Sequence, residues 1–133
     1  MTTLFSKIIR GEIPAHKIME DEKHLAFLDI RPVKRGHTLV IPKKESDYLF
    51  ALSDQELSEL MVFAKKTAHA LEKTVPCKRI GVMVAGLEVP HTHVHLIPMD
   101  HVSDLAFANA KNATSEELAQ TAAGIRAKIG REK

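Results

Sequence analysis

The chain has 133 residues, 44% of them hydrophobic and 27% charged, with a formal net charge of +2. These values are typical of one globular domain and exclude a disordered chain. No apolar run reaches the roughly 20 residues that cross a bilayer, and the basic residues are spread along the chain, so we expect neither a membrane nor a nucleic-acid partner. The single cysteine, Cys77, excludes an internal disulfide, and the first residues lack a secretory signal pattern. Together these features predict a cytoplasmic protein.

The first third of the sequence predicts a short helix followed by three strands. Thr3 can cap the helix, which has an apolar side that begins at Leu4. Strands are expected at residues 17–20, 25–29 and 37–41, because short runs rich in aliphatic residues lie there between turn-forming residues.

A long amphipathic helix is predicted from Asp54 to about Val75. Ser53 and Glu56 fit a capping box, in which each side chain accepts a hydrogen bond from the other residue's backbone N–H, and Pro76 ends the helix. Three- and four-residue spacing defines one apolar face, and three further apolar residues off this face also need burial. The face consists of Leu57, Leu60, Met61, Ala64, Ala68, Leu71 and Val75, and the three others are Val62, Phe63 and Ala70.

The remaining sequence predicts two more strands and a last helix. The strands are expected at residues 79–84 and 91–97, the second of them between two prolines, and the helix follows Thr114. Because few helices separate the strands, the fold class is α+β with an antiparallel five-stranded sheet. Residues 1–133 are expected to form one domain, with residues 100–133 as a helical C-terminal extension.

Three of the eight histidines, His91, His93 and His95, occupy alternate positions of the last predicted strand. Alternation places their imidazoles on one face, whereas Val94 and its neighbours at alternate positions face the apolar side. Aliphatic residues would pack better and need no hydrogen-bond partners, so the row indicates chemistry rather than stability. Two chemical interpretations remain open.

In the first interpretation the row binds a metal ion, because imidazole is a favoured ligand of zinc and iron. However, His91 and His95 lie about 13 Å apart along an extended strand, so the three side chains cannot readily ligate one ion. A metal-dependent enzyme of this kind would use His91, His93 and His37.

In the second interpretation one imidazole is a nucleophile toward phosphorus. A neutral imidazole is a good nucleophile near pH 7, and its nucleotidyl adduct is reactive enough to be hydrolysed afterwards. The neighbouring histidines would donate a hydrogen bond to a phosphate oxygen and fix the tautomer of the nucleophile. This chemistry requires no metal and no other cofactor.

The segment His91–Ile97 resembles the His-φ-His-φ-His-φ-φ signature of the histidine triad (HIT) superfamily, where φ is hydrophobic and Thr92 takes the first φ position. Residues 5–14, 26–30 and 36–43 resemble the Hint branch of that superfamily and occur in the same order. The resemblance implies a HIT-like fold and a two-fold homodimer whose sheet continues across the interface. It also implies hydrolysis of a nucleoside 5′-phosphoramidate or a related conjugate of a purine nucleoside monophosphate.

The resemblance further implies roles for four histidines. His93 matches the nucleophile that takes the nucleotidyl group, and His95 matches the residue that contacts the phosphate and helps the leaving group depart. His91 and His37 match histidines that orient the other two. Some relatives hold structural zinc with N-terminal cysteines, but this chain has Ser6 in that region, so no metal is expected.

Nucleotide-binding residues are implied in the same way. Asp29 matches the carboxylate that accepts both ribose hydroxyls, although on sequence alone it is equally a turn former. The residues expected to surround the base and the phosphate are Leu4, Phe5, Ile8, Phe27, Ile30, Leu39, Gly86 and Val89. Without the resemblance, the first three of these are ordinary core residues.

The loop before the triad, residues 84–90, departs from the family pattern. It is short, and Leu87 stands where relatives commonly have a glutamine that contacts the phosphate and the leaving group. Slower turnover of amine-leaving substrates is therefore expected, with nucleotide binding largely kept. The competing view is that Leu87 points into the core, where a glutamine would destabilise the fold. The alternative function is a nucleotide-binding or scaffold module with low turnover.

Overall fold

The computed structural model describes residues 3–129, which form three α-helices and five β-strands. The helices are α1 (Leu4–Ile9), α2 (Asp54–Thr74) and α3 (Ser115–Arg126), and the strands are β1 (Lys17–Glu20), β2 (His24–Leu28), β3 (Thr38–Pro42), β4 (Arg79–Met83) and β5 (Val94–Met99). Single turns of 3₁₀ helix at Leu49–Ala51, Val102–Asp104 and Phe107–Asn109 lie in the connections. Residues 130–133 of the expected C-terminal extension lie outside the described residues.

The five strands form one sheet in the order β1-β2-β3-β5-β4, with every neighbouring pair antiparallel. This confirms the predicted α+β fold. Strands β2 and β3 lie within one residue of their predicted bounds, but β5 begins at Val94 instead of His91 and continues through Pro98. The reason for the late start is that the N–H of Thr92 donates to the carbonyl of Ser46 in a loop. Pro98 is tolerated because β3 pairs only with residues 94–96, so that Pro98 lies opposite β4 alone.

Helix α2 begins with the predicted capping box. The N–H of Glu56 donates to Ser53 Oγ over 3.1 Å, and the N–H of Ser53 donates to Glu56 Oε1 over 2.9 Å. Lys44 also binds the Glu56 carboxylate and, as the largest cause, lowers the pKa of this side chain to about 2. The carboxylate therefore stays ionised as a cap at any physiological pH.

The buried face of α2 differs from the predicted one. Met61 is 37% exposed, whereas Phe63 and Ala70 are buried within the chain. Thr67 lies at the centre of the true face, where its hydroxyl donates to the carbonyl of Phe63 over 3.0 Å. An apolar pattern misses such a satisfied threonine and therefore misplaces the face. The buried residues of α2 are Leu60, Phe63, Ala64, Thr67, Ala70 and Leu71.

Helices α2 and α3 cover one face of the sheet and α1 covers part of the other. Along β3, Val40 packs in the core under α2, whereas Leu39 and Ile41 pack under α1 with Phe5. The C-terminal helix is joined to this body by polar bonds as well, since Arg126 donates to a carbonyl of β1 over 2.7 Å. No helix among residues 3–129 has the length and apolar character to span a membrane.

Candidate active site

Three of the four predicted histidines, His37, His93 and His95, meet where β5 begins beside β3. Leu39 lies opposite His95 in the register of these strands, and His37 precedes β3 by one residue. His93 precedes β5 by one residue, and its ring lies 4.9 Å from that of His95, centroid to centroid. Residues that are 56 or more positions apart in sequence are therefore brought to one place by the pairing of β3 with β5.

A cavity of about 460 Å³ opens beside these histidines. Most of the predicted site residues line it, namely Leu4, Phe5, Asp29, Ile30, His37, Leu39, Gly86, Val89, His93 and His95. A larger cavity of about 750 Å³ lies on the other side of residues 29–37, but neither His93 nor His95 lines it. We therefore take the smaller cavity as the candidate active site and call it the histidine cavity.

Three predicted site residues do not reach the histidine cavity. Ile8 and Phe27 are buried behind it, in the small core under α1, where Phe27 packs edge-on against Phe5 with ring centroids 5.6 Å apart. Their side chains support the cavity wall instead of forming it. His91 is 1% exposed and lies further along the histidine row. Direct contact of Ile8 and Phe27 with the base has no support in this geometry, because α1 places Leu4 and Phe5 nearer to the cavity.

A chain of hydrogen bonds fixes the tautomers of His37 and His95. The N–H of Val33 donates to His37 Nδ1 over 3.1 Å, so the proton of this imidazole is on Nε2. His37 Nε2 lies 2.9 Å from His95 Nδ1 and donates to it. We therefore assign the proton of His95 to Nε2, the nitrogen that does not face His37.

His93 is held in the opposite tautomer by the backbone carbonyl of His91. Its Nδ1 lies 2.6 Å from the carbonyl oxygen of His91, which can only accept. The proton of His93 is therefore on Nδ1 and the lone pair is on Nε2. One neighbouring pair of imidazoles thus offers a nucleophilic nitrogen on His93 and an N–H donor on His95.

His91 acts at a distance from the cavity. Its Nε2 donates to the carbonyl of Pro42 over 2.8 Å, at the end of β3. This bond anchors the residue whose carbonyl holds His93. Among residues 3–129, His91 Nδ1 is the buried side-chain nitrogen or oxygen that lacks a hydrogen-bond partner.

Burial keeps three of the four histidines neutral. It is the largest cause that lowers the pKa of His37 and of His91, and in His37 the nearby Asp29 carboxylate opposes it in part. For His95, burial and then the proximity of His37 and His93 lower the pKa to about 3. A neutral ring has one donor and one acceptor nitrogen, as the tautomer assignments require. The 3.8 Å approach of Asp29 Oδ2 to His37 Nε2 is therefore not an ion pair near pH 7.

Asp29 follows β2 and serves the backbone as well as the cavity. Its Oδ1 accepts from the N–H of Arg31 over 2.9 Å, so the turn-forming interpretation of this residue holds. Asp29 also lines the histidine cavity, and it is partly exposed. One carboxylate thus shapes the loop and offers oxygen atoms to a ligand.

A family model of the HIT domain matches residues 10–102. The chain belongs to the HIT family. It is 41% identical over 96 residues to adenosine 5′-monophosphoramidase HNT1 of Saccharomyces cerevisiae, a match that covers 71% of this chain and 61% of the yeast protein. The crystal structure of a Hit-like protein from Bartonella henselae superposes with a TM-score of 0.84 at 34% identity, covering 96% of each chain. That of a zinc-bound histidine triad family protein from Mycobacterium smegmatis superposes with a TM-score of 0.83 at 27% identity, covering 98% of this chain and 95% of the other.

The potential metal ligands near the histidines differ from those expected from the sequence. The set His91, His93 and His37 does not come together, and the close group among the described residues is Asp29, His37 and His95, whose ligand atoms lie within 4.8 Å of one another. His37 already accepts a hydrogen bond at Nδ1, so its Nε2 carries the proton. A metal ion at Nε2 would have to displace that proton and break the bond to Val33.

The C-terminal segment supplies cavity residues that the sequence did not reveal. Phe107 and Ala110 line the histidine cavity, and the ring centroid of Phe107 lies 4.9 Å from that of His95. They lie beyond residue 102, where the HIT domain match ends. The available signal was a single aromatic residue in an alanine-rich stretch without helical or strand periodicity, which is weak on its own.

Proposed function

We propose that this HIT-family chain hydrolyses nucleoside 5′-phosphoramidates or related nucleotide conjugates through a nucleotidyl-histidine intermediate. His93 Nε2 attacks the α-phosphorus and forms a P–N bond while the bond from phosphorus to the leaving amine breaks. His95 Nε2–H donates a hydrogen bond to the departing nitrogen, which takes a proton from solvent water and leaves as the neutral amine. A water molecule then attacks the same phosphorus and gives a proton to solvent, and the nucleoside monophosphate leaves His93.

The observation that carries this proposal is the pair of opposite tautomers. Nucleophilic displacement at phosphorus needs an unprotonated nitrogen and a proton donor for the leaving group. His93 has its lone pair on Nε2 because Nδ1 donates to the carbonyl of His91. His95 has its proton on Nε2 because Nδ1 accepts from His37. Both roles are fixed by neighbours that take no part in bond making.

The walls of the histidine cavity favour a nucleotide as the group transferred. Leu4, Phe5, Ile30 and Leu39 offer apolar contacts for a base, and purines give the larger contact area. Asp29 lines the same cavity, and we assign its carboxylate to accept hydrogen bonds from the ribose hydroxyls. The name of the yeast relative, an adenosine 5′-monophosphoramidase, fits this substrate class.

The proposal is tested by incubating the pure protein with adenosine 5′-phosphoramidate. We expect release of AMP, and we expect rapid acid-free quenching to trap a protein adduct whose mass exceeds that of the chain by one adenylyl group. The adduct should map to the peptide that contains His93. Release of AMP with no adduct at any quench time, and with full activity in His93→Ala, would contradict the covalent route.

A nucleotide-binding module with low turnover is the second candidate. It is favoured by the loop at residues 85–89, whose side chains include no hydrogen-bond donor, and by Leu87, which is 94% exposed at the cavity. Titration with AMP in a calorimeter separates the two functions. Tight binding of AMP without turnover of any phosphoramidate would identify the module.

We also propose that two chains form a homodimer in the cytoplasm. Val82 on the edge strand β4 is 50% exposed, and Val62 on α2 is 52% exposed. A second copy of the chain could bury both of these apolar side chains. An edge strand also offers unpaired backbone groups to a second copy. Light scattering at micromolar concentration is expected to give twice the chain mass, and a monomer would rule the dimer out. The lone Cys77 is in keeping with a reducing compartment, which cell fractionation would check.

A further inference from the structure

One charged side chain in the wall of the histidine cavity takes no part in the proposed hydrolysis. Arg31 lines this cavity and is exposed, and its side chain forms no hydrogen bond or ion pair with any residue between positions 3 and 129. An arginine is always charged in proteins, and its planar guanidinium matches the geometry of a phosphate or a carboxylate. Arg31 is therefore available to bind an anionic group of a ligand in the cavity.

The chain places Arg31 at the ribose end of a bound nucleotide, an argument that rests on the proposed function. The backbone N–H of Arg31 donates to Asp29 Oδ1 over 2.9 Å. Asp29 is the carboxylate that we assign to the ribose hydroxyls, whereas the reacting phosphorus lies at His93 and His95. An anion bound by Arg31 is therefore expected on the ribose and not at the reacting centre.

The charges around Arg31 show what this side chain adds. Asp29 and Glu88 are the other charged residues among the described walls of the histidine cavity, and both are acidic. The larger cavity behind residues 29–37 has three cations and three carboxylates in its wall, with Asp29 among the carboxylates, so it adds no net positive charge. Without Arg31, a phosphate on the ribose would meet the Asp29 carboxylate, and no cation of the same cavity would offset the repulsion.

We propose that Arg31 determines substrate specificity by binding a second phosphate, carried by one hydroxyl of the ribose. The guanidinium donates to two oxygens of this phosphate, and Asp29 accepts from the ribose hydroxyl that remains. The contact is the same before and during the reaction at the 5′ phosphorus. It therefore lowers KM for conjugates with a ribose phosphate and leaves kcat as it is for conjugates without one.

The binding test compares AMP with adenosine 3′,5′-bisphosphate and adenosine 2′,5′-bisphosphate by calorimetric titration. In the wild type we expect one of the two bisphosphates to bind about tenfold more tightly than AMP, as one bidentate charge-assisted contact at a partly exposed site provides. The better of the two identifies the hydroxyl that carries the phosphate. In Arg31→Gln this preference should disappear or reverse, because the second phosphate then faces Asp29 without the guanidinium.

Arg79→Gln is the matched control. It removes the same charge from an exposed arginine on β4 that does not line the histidine cavity. Its preference for the bisphosphate should equal that of the wild type. A preference that falls equally in Arg31→Gln and Arg79→Gln would report the net charge of the protein instead of a contact, and would overturn the proposal.

Steady-state kinetics complete the test with two 5′-phosphoramidates, that of adenosine and that of the adenosine phosphate with the better-bound position. We expect kcat/KM to be about tenfold higher for the second, through a lower KM at equal kcat. Equal affinity of the wild type for AMP and both bisphosphates, or an unchanged preference in Arg31→Gln, would overturn the proposal. An equal loss of affinity for AMP and the bisphosphate in Arg31→Gln would do so too, since it would place Arg31 at the 5′ phosphate.

The proposed function and the role of Arg31 can fail separately. If the wild type turned over neither phosphoramidate, the proposed hydrolysis would fail, and the ratio of the dissociation constants of AMP and the bisphosphate would still decide the role of Arg31. If the wild type bound none of the three nucleotides, both proposals would fail.

Discussion

The two faces of the five-stranded sheet differ in composition: one carries an aliphatic core and the other carries the histidines. The cluster under α2 and α3 consists of aliphatic side chains, alanines and one phenylalanine. The cluster under α1 has six buried apolar residues and borders the four histidines. The lengths of the covering helices explain part of this difference, since α2 has 21 residues and α1 has six. The short helix leaves part of its face uncovered, and the histidine cavity lies there.

Buried imidazoles are compatible with folding because five of the eight ring nitrogens of the four histidines have a hydrogen-bond partner within the chain. Taking a polar group out of water costs about 1–3 kcal/mol unless a hydrogen bond replaces the lost one. His37 uses both ring nitrogens within the chain, and His93 and His95 each use Nδ1. On the α1 face, hydrogen-bonded histidines with fixed tautomers therefore occupy positions that aliphatic side chains would otherwise pack. We expect substitutions there to change turnover, and substitutions under α2 to change the free energy of unfolding.

The largest effect is expected for His93→Ala. Removal of a nucleophile typically lowers the rate by several orders of magnitude, so we expect kcat to fall by at least about 1,000-fold. AMP binding should persist, because the apolar wall and Asp29 remain. Steady-state kinetics with an adenosine phosphoramidate, together with calorimetric titration of AMP, measure both quantities.

His93→Asn controls for folding, since it keeps a polar side chain beside the carbonyl of His91. Both variants should unfold in one cooperative transition. Retention of more than about a tenth of the wild-type rate in either variant would exclude His93 as the nucleophile.

On the opposite face, Leu60→Ala is expected to lower the free energy of unfolding by about 3 kcal/mol, the central value for a buried leucine. Leu60 is fully buried in the core under α2 and does not line the histidine cavity. Denaturant unfolding measures the loss, and kcat for the folded fraction at low temperature should stay within about twofold of the wild type. A large loss of kcat in fully folded Leu60→Ala would show that the two faces are not independent.

The comparison of faces also explains what the sequence could predict. The antiparallel sheet, the capping box at Ser53 and the triad were predictable because each depends on local pattern. The buried face of α2 was misplaced because Thr67 satisfies its own hydroxyl, which no apolar pattern reveals. Phe107 was missed because its place beside His95 arises from the path of the chain after β5. The assignment of tautomers needed the bond from Val33 to His37, which depends on loop geometry.

Asp29→Asn should lower AMP affinity by about thirtyfold, since two charge-assisted hydrogen bonds to the ribose contribute about 2 kcal/mol. The loss for the 2′-deoxy analogue should be smaller, about fivefold, because one of the two bonds is already absent. Asparagine still accepts from the N–H of Arg31, so the turn should survive and the melting temperature should not change. Equal losses of affinity for AMP and for its 2′-deoxy analogue would show that Asp29 only shapes the turn and does not bind the ribose.

The smallest effect on turnover is expected for Leu87. This residue lies on the rim of the histidine cavity, away from the packed core. The possibility that this side chain points into the core is excluded, since it is 94% exposed. Gly86 beside it has a positive φ of 74° and lines the cavity, so a backbone N–H there can approach a phosphate closely. Leu87→Gln adds a side-chain donor next to this position. If the donor meets charge that develops as the P–N bond breaks, kcat should rise about tenfold with little change in AMP affinity.

Leu87→Met is the control, because it keeps the length without a donor and should match the wild type. Destabilisation cannot mask the result at so exposed a position, so a Leu87→Gln protein that is no faster would show that the rim does not limit turnover.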